Sequence, residues 1–555
     1  MNSNTYSILA IIIALILSTG LKACDPAEDN GEPAVSEETE LVIMSTADLH
    51  GYVRAWDYYR DEGNLGYSMS RAATLVDSVR AEHEHTLLLD AGDWLQGNSF
   101  AEYFATEAQD DVHYPLLAAA DLMDFDALVL GNHEFDYGLD YLNRQIDLTE
   151  TPIIGANMYH HATEEPAYPP YIMRELDDLN VAIIGLNTPG TAVWNRPRVE
   201  GELDFRDGDE VAERFVQKVR EEENADVVIV LAHSAYDGDD SYSEEGVGEE
   251  NFGKTIADNV DGVDALVLGH RHRTFEKVRE NVGGSPLAVI ESGRWGDHLG
   301  VIELRVTNED GSSEVVEADT RMHQTAHAEE HAEIVDLVED EHEDVREYVN
   351  QPVVFTDDTW TTEDARREQA PAIELIQRVQ LERTGAQLSA AAAFNTNVEF
   401  GPGEVRLGDI ALLYPFENTL YKMELTGDQI REFLEYTSQY YLKPEDGELQ
   451  TNPEWPGFNY DMLSGVEYEL DLRNEPGERI TNLTYDGEPV ERYDTFTVAI
   501  NSYRAVGGGG FDMLEDAEVI EVIDLSVRNM IIEYLKEKEE VSASDYKTDN
   551  WRLIY

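Results

Sequence analysis

The sequence predicts an α/β fold divided between two large domains. Three observations carry that expectation. A chain of 555 residues is too long for one ordinary domain. From about residue 40 to 320, short runs rich in Val, Ile and Leu alternate with stretches of helical pattern. Five of those runs stop at Asp, Asn or His. They read LVIMSTADLH (41–50), TLLLDAGD (86–93), DALVLGNHEFD (126–136), VVIVLAHS (227–234) and ALVLGHRH (265–272). Consecutive apolar residues of this kind mark strands buried on both faces. GYSMSRAATLVDSVRAEH (66–83) and GDEVAERFVQKVREEENA (208–225) read as intervening helices.

Taken in order, the chain opens on TYSILAIIIALILSTGLKAC (5–24), too short for comfortable spanning, and residues 1–23 read as a signal peptide. Leu21-Lys22-Ala23-Cys24 resembles the lipobox of bacterial lipoproteins, which implies lipidation at Cys24, the sole cysteine. Residues 24–39 read as an acidic tether and 40–322 as the first domain. Residues 323–352 are dense in Glu, His and Val and read as a solvated connecting helix. The second domain, 353–555, opens with a helix in APAIELIQRVQLERTG (370–385). A second helix follows in LTGDQIREFLEYTSQYY (425–441), then strands in GVEYELDLR (465–473), RITNLTYDG (479–487) and TFTVAINSY (495–503).

Asp and Glu number 115 against 39 Lys and Arg, a formal net charge of −76. A field of that sign repels nucleic acid polymers and anionic membranes. Both are therefore excluded as partners, a membrane entering only through a lipid at Cys24. The excess is spread along the chain, with patches such as DGDDSYSEEGVGEE (237–250) that read as solvated surface. We read it as halophilic adaptation, because concentrated salt screens the self-repulsion. The sequence does not fix the oligomeric state.

The residues that end the five runs are Asp48, His50, Asp93, Asn132, His133, His233, His270 and His272. Ligands of open α/β sheets bind beyond the carboxyl ends of the strands, so these positions should converge. One His or Asp at a strand end is more often a cap or a satisfied loop residue. Five coincidences in order are not. Carboxylate and amide oxygens with imidazole nitrogens form a mixed shell that accepts Zn, Mn, Fe or Co. Two such ions about 3.5–4 Å apart clamp a phosphoryl group for in-line attack.

DLH, GDxxxGN, GNHExD, AHS and GHRH, in this order, resemble the calcineurin-like metallophosphoesterases, and the C-terminal half resembles the 5′-nucleotidase family within them. The resemblance covers nearly all of 40–520. It implies a layered β-sandwich flanked by helices, followed by a second, α+β domain that binds the nucleotide and rotates to deliver it. It also implies two divalent metal ions, one held by Asp48, His50, Asp93 and His272, the other by Asp93, Asn132, His233 and His270. The catalytic dyad would fall on His133 and Asp136, with Asp136 orienting the imidazole. The remaining histidines, among them His83, His85, His113, His160, His161 and those within 323–342, are expected at the surface.

A nucleotide base needs an aromatic face. YPFENTL (414–420) offers Tyr414 and Phe416 beside Asn418, and AINSYRAVGGGGF (499–511) offers Tyr503 beside a Gly-rich turn. The resemblance implies that Phe416 and Tyr503 sandwich the base. Two features depart from the 5′-nucleotidase branch. AAAFNTNVEFGPGEVRLGDI (391–410) replaces its Asn-Gly-Gly stretch, and Gly509 stands where that branch carries Asp. Both are similar to the 2′,3′-cyclic-nucleotide 2′-phosphodiesterase/3′-nucleotidase branch. The expectation is an exported, lipid-anchored hydrolase in the periplasm or at the cell surface, scavenging phosphate from 2′,3′-cyclic nucleotides and 3′-nucleotides. Alternatives are a 5′-nucleotidase or UDP-sugar hydrolase, a related hydrolase of sulfur-containing substrates, and a surface nucleotide-binding lipoprotein without activity. Paired aromatics speak against the sulfur substrate, and filled ligand positions against the inactive binder.

Overall fold

The computed structural model describes residues 37–555 apart from 64, 110, 111, 178, 243, 245, 310, 311, 445, 446 and 516. The segment expected to be a signal peptide, its Cys24 and most of the tether lie outside the described residues. Among the described residues no helix is long and apolar enough to cross a membrane.

The five apolar runs are strands, and they belong to two sheets packed face to face. The first sheet draws on β1 (Glu37–Thr46), β2 (Thr86–Asp90), β3 (Ala127–Val129) and β4 (Ile153–Ile154). The second consists of β5 (Tyr171–Leu176), β6 (Leu179–Asn187), β7 (Val227–His233), β8 (Ala265–Leu268), β9 (Thr274–Glu280) and β10 (Pro286–Ser292). Two long strands, β11 (His298–Glu309) and β12 (Ser312–Gln324), return to complete the first. The orders are β12-β11-β1-β2-β3-β4 and β9-β10-β8-β7-β6-β5. Within each, the inner strands that end at Asp, Asn or His run parallel. Their carboxyl ends therefore open on one rim.

Side-chain alternation explains why these strands lack polar residues. Leu41 and Ile43 pack with Ile183, Ile229, Leu231 and Val267 between the sheets. Val42 and Met44 point the other way, onto Met69, Ala73 and Val76 of helix α1 (Met69–Glu82). Val228 and Val230 meet Val211, Phe215 and Val219 of the helix Gly208–Glu221 on the opposite outer face. Both faces of each sheet are thus dry, and each buried Leu, Ile or Val contributes about 1.5–3 kcal/mol. Strand β6 belongs to the same set, although its sequence, LNVAIIGLN, ends at Asn rather than at a metal-type cluster.

The expected connecting helix at 323–352 differs. Strand β12 runs to Gln324, and two short helices follow, Ala332–Leu337 and Glu339–Val349. They are not solvated on all sides, because Ile334, Val338, Val345 and Val349 join the outer core of the first domain. His342, expected at the surface, is 3% exposed. It hydrogen-bonds the Tyr58 hydroxyl at 2.8 Å and lies edge-on to Trp56. Every third or fourth residue of an acidic segment still faces inward, and that stripe was hidden by the charge.

The second half is built on a five-stranded sheet: Leu388–Ala392, Leu420–Thr426, Asp461–Ser464, Thr495–Asn501 and Glu518–Ile523. The two helices read there form as Pro371–Thr384, closed by Gly385 in the left-handed region at φ 60°, and Gly427–Thr437, opened by a Thr426/Gln429 capping box. The last helix, Val527–Lys536, lies against Leu407–Leu413 and Pro371–Thr384.

Candidate metal centre and substrate face

The rim gathers the residues at the ends of the strands. Asp48 and His50 leave β1, Asp93 follows β2, Asn132 and His133 follow β3, His233 ends β7, and His270 and His272 follow β8. Asp48, His50, Asp93, Asn132 and His233 are buried. Five of the seven expected ligands have positive φ: Asp48 at 51°, His50 at 46°, Asp93 at 62°, His270 at 81° and His272 at 53°. Such backbone costs about 1–3 kcal/mol per residue and persists only where the surroundings enforce it. Glycines make the crowding possible. A Cβ on Gly97 would lie 2.4 Å from the His50 Cβ, and one on Gly131 2.2 Å from Asp93 Oδ1.

Hydrogen bonds on the outer side aim the imidazoles. His50 Nδ1 donates to the Gln96 carbonyl at 2.8 Å, and His233 Nδ1 to the Ala91 carbonyl at 2.7 Å. His270 Nε2 donates to Glu250 Oε1 at 2.9 Å, and Trp194 stacks on the His270 ring. In the neutral rings the inward nitrogens therefore carry lone pairs; His233, which burial would depress but Asp93 raises to about 9, must give up a proton to ligate. The inward nitrogens point at one another and at oxygens. His50 Nε2 and His272 Nε2 are 2.9 Å apart, and His272 Nε2 is 3.4 Å from Asp48 Oδ1. His233 Nε2 lies 3.1 Å from Asp93 Oδ2, 3.1 Å from Asn132 Oδ1 and 3.2 Å from His270 Nδ1. Asp93 Oδ2 also faces His50 Nε2 at 3.8 Å. Ligand atoms of Asp48, His50, Asp93 and His272 lie within 4.8 Å of one another.

Lone pairs converging on lone pairs repel unless a cation sits between them, so this donor set fits divalent ions. Burial depresses His50 to about 4 and holds His272 well below its ordinary value, keeping both free of protons. Burial also lifts the Asp48 carboxyl well above the usual range, the signature of an anion short of a counter-charge. Asp93 stands in both groups, as a bridging carboxylate would.

His133 stands beside this cluster, its ring 5.5 Å from that of His50. Its Nδ1 bonds Asp136 Oδ2 at 2.8 Å, and Asp136 Oδ1 accepts from Asn195 Nδ2 at 2.7 Å. Burial alone would depress His133; Asp136 and Asp93 override it and raise the imidazole to about 10.

On the other half, Phe416 is 40% exposed and meets Phe394 edge-on. Tyr503 is half-buried against Gly508, whose N–H donates to the Tyr503 carbonyl at 2.9 Å. It lies within electrostatic reach of Glu250 and Arg271, on the loops that hold His270. Asn418 binds the last helix through its carbonyl, which accepts from Val527 N at 2.9 Å. Tyr414 is 1% exposed and belongs to the core.

Several residues here were not read from the sequence. Glu250 closes the acidic patch 237–250, yet is 5% exposed against His270 rather than solvated. Trp194 ends the short helix Thr191–Trp194 and Asn195 joins it to the helix Arg196–Val199, in a stretch with no motif. Glu134 was visible inside GNHExD but carried no assigned role.

The family model of the calcineurin-like phosphoesterases matches residues 41–274, and that of the 5′-nucleotidase C-terminal domain matches 352–516. The 2′,3′-cyclic-nucleotide 2′-phosphodiesterase/3′-nucleotidase of Salmonella typhimurium is 30% identical over 534 residues, 84% of this chain and 82% of that one. The trifunctional nucleotide phosphoesterase YfkN of Bacillus subtilis is 29% identical over 99% of this chain, which spans 41% of its length. Among solved structures, a 5′-nucleotidase precursor from Thermus thermophilus shares the fold with a TM-score of 0.65 at 22% identity, covering 93% of this chain and 99% of that one.

Proposed function

We propose that this chain, which belongs to the calcineurin-like phosphoesterases carrying a 5′-nucleotidase C-terminal domain and is a metal-dependent phosphoric ester hydrolase, acts on 2′,3′-cyclic nucleotides and 3′-nucleotides. The observation that carries the reading is the pair of inward-facing donor sets sharing Asp93. Asp48, His50, Asp93 and His272 would hold one ion, and Asp93, Asn132, His233 and His270 the other. Bound there, divalent ions supply Lewis acidity and neutralise charge on the phosphoryl oxygens.

The chain's own groups do the rest. Asp136, fixed by Asn195, accepts the Nδ1–H of His133 and so presents Nε2 to the substrate. With its pKa raised by Asp136, His133 enters protonated, stabilises charge on the phosphoryl group and gives its proton to the departing oxygen. Phe416 and Tyr503 stack the base, a contact worth about 1–3 kcal/mol. The branch assignment rests on similarity to the named relatives and on Gly509. A Cβ there would lie 2.5 Å from Asn459 Oδ1 and 2.7 Å from Arg504 Nη1 on a backbone at φ 79°, so the Asp of the 5′-nucleotidase branch would be strained and would displace both side chains. Export and a lipid at Cys24 are supported by the apolar segment 5–24.

The test is a panel of 2′,3′-cyclic AMP, 3′-AMP, 5′-AMP and a UDP-sugar, assayed in high salt with Mn or Zn. Hydrolysis of the first two is expected. Hydrolysis of 5′-AMP alone overturns the branch assignment. His133→Ala should lower kcat by about 10²–10⁴-fold while the ions stay bound.

A further inference from the structure

The domains are joined by a buried ion triad for which the chemistry above has no use. Arg528, near the start of the last helix, is 1% exposed. Its Nη1 pairs with Glu102 of the helix Ser99–Thr106 in the catalytic half. Its Nη2 lies 2.7 Å from Glu417 Oε1 and donates to the Pro415 carbonyl at 2.8 Å. Its Nε donates to the Tyr414 carbonyl at 2.9 Å. One guanidinium thus holds the two backbone carbonyls that precede Phe416, pairs with the Glu417 side chain that follows it, and binds this segment to the other half of the molecule.

Each end of this clamp leads to a site. On one side, the helix of Glu102 is capped by Asn98, whose side chain accepts from Phe100 N and Ala101 N at 3.0 Å. The preceding Gly97 packs directly against His50. On the other side, Glu417 stands between Phe416 and Asn418, and its charge reaches Asp136. The path from the metal loop to the aromatic face is therefore a short series of direct contacts through Arg528.

Buried charges cost several kcal/mol each to desolvate, and apolar residues of similar volume would often stabilise a fold as well. An ion pair with hydrogen bonds does what an apolar contact does not: Arg528 fixes angle and distance through directed bonds to Glu102 and to the Tyr414 and Pro415 carbonyls, with Glu417 held beside it by charge. We propose that Arg528 is a positioning residue that, in the domain arrangement described here, sets the separation between the base-stacking face and the metal centre, and so selects which phosphoester of a nucleotide reaches the ions. This rests on the nucleotide reading above.

The experiment compares kcat/KM for 2′,3′-cyclic AMP with kcat/KM for methyl p-nitrophenyl phosphate, a diester with no base to position. In R528M the nucleotide value should fall at least tenfold through KM, and the diester value should stay within about twofold. R528K should lie between. Should R528M fail to fold, E417Q, which keeps the side-chain shape, reads the same ratio. A parallel fall on both substrates, or no change on either, overturns the proposal. If the unmodified protein hydrolyses the diester but no nucleotide, the functional reading fails first, and that result is distinct.

Discussion

Glu134 shows how one carboxylate outside both expected donor sets holds the loop that carries Asp93 in place. Its Oε2 accepts from Asp93 N at 3.0 Å and Gly131 N at 2.5 Å, and its Oε1 from Trp94 N at 2.6 Å and Leu95 N at 3.1 Å. The loops after β2 and β3 are tied together at a point where Asp93 must stand at positive φ. In Glu134→Gln the amide would turn one N–H₂ toward two backbone donors. Two bonds are lost and the donors left unsatisfied, at about 1–3 kcal/mol each. We expect divalent affinity to fall about 10–100-fold, as for other residues that orient ligands, with kcat restored at saturating metal. Isothermal titration with Mn or Zn measures it, and unchanged affinity would remove Glu134 from this role. The convergence of the candidate ligands was legible because few residue types bind cations and each followed a strand. Glu134 lay in plain sight within GNHExD, but nothing in a sequence tells a carboxylate that receives backbone N–H groups from one that faces water.

At the scale of elements, the strands were legible wherever both faces are dry, since VVIVLAH and ALVL leave no other reading. The helices Ala332–Leu337 and Glu339–Val349 were half legible. Their charge was visible, but the inward stripe of Ile334, Val345 and Val349 needed the partner surface to give it meaning. The helix Pro371–Thr384 shows the converse, with Glu374 buried in its first turn. Burial raises the Glu374 carboxyl to about 7 from the ordinary value of 4.5. Below pH 4.5 both folded and unfolded chains hold this proton. Between 4.5 and 7 only the folded chain does, so stability falls as pH rises through that window. At 1.36 kcal/mol per unit the loss approaches about 3 kcal/mol. Glu374→Gln should therefore stabilise the C-terminal half at pH 8 and be near neutral at pH 4. Urea melts at the two values measure this, and a pH-independent difference would show that Glu374 is solvated.

For the whole molecule the dominant quantity is the net charge of −76. Exposed pairs such as Arg305–Glu317, with side chains 51% and 59% exposed, do little to offset it. The Debye length is about 10 Å at 0.1 M salt and about 3 Å at 1 M, so concentrated salt removes most repulsion between surface carboxylates. The buried triad of Glu102, Arg528 and Glu417 is screened far less, so the clamp between the halves survives the salt that relaxes the surface. Substrate is an anion as well, and an unscreened field of this sign opposes its approach. Both effects have the same direction. Raising NaCl from 0.1 to 2 M should raise Tm, a gain of about 3 kcal/mol corresponding to roughly 6–12 °C for a domain of this size. Over the same range kcat/KM for nucleotides should rise, the reverse of an enzyme that steers its substrate by charge. Sucrose stabilises by exclusion from the protein surface without screening; it should raise Tm and leave kcat/KM flat. If Tm and kcat/KM both decline steadily with salt, the acidic surface serves some end other than tolerance of concentrated electrolyte.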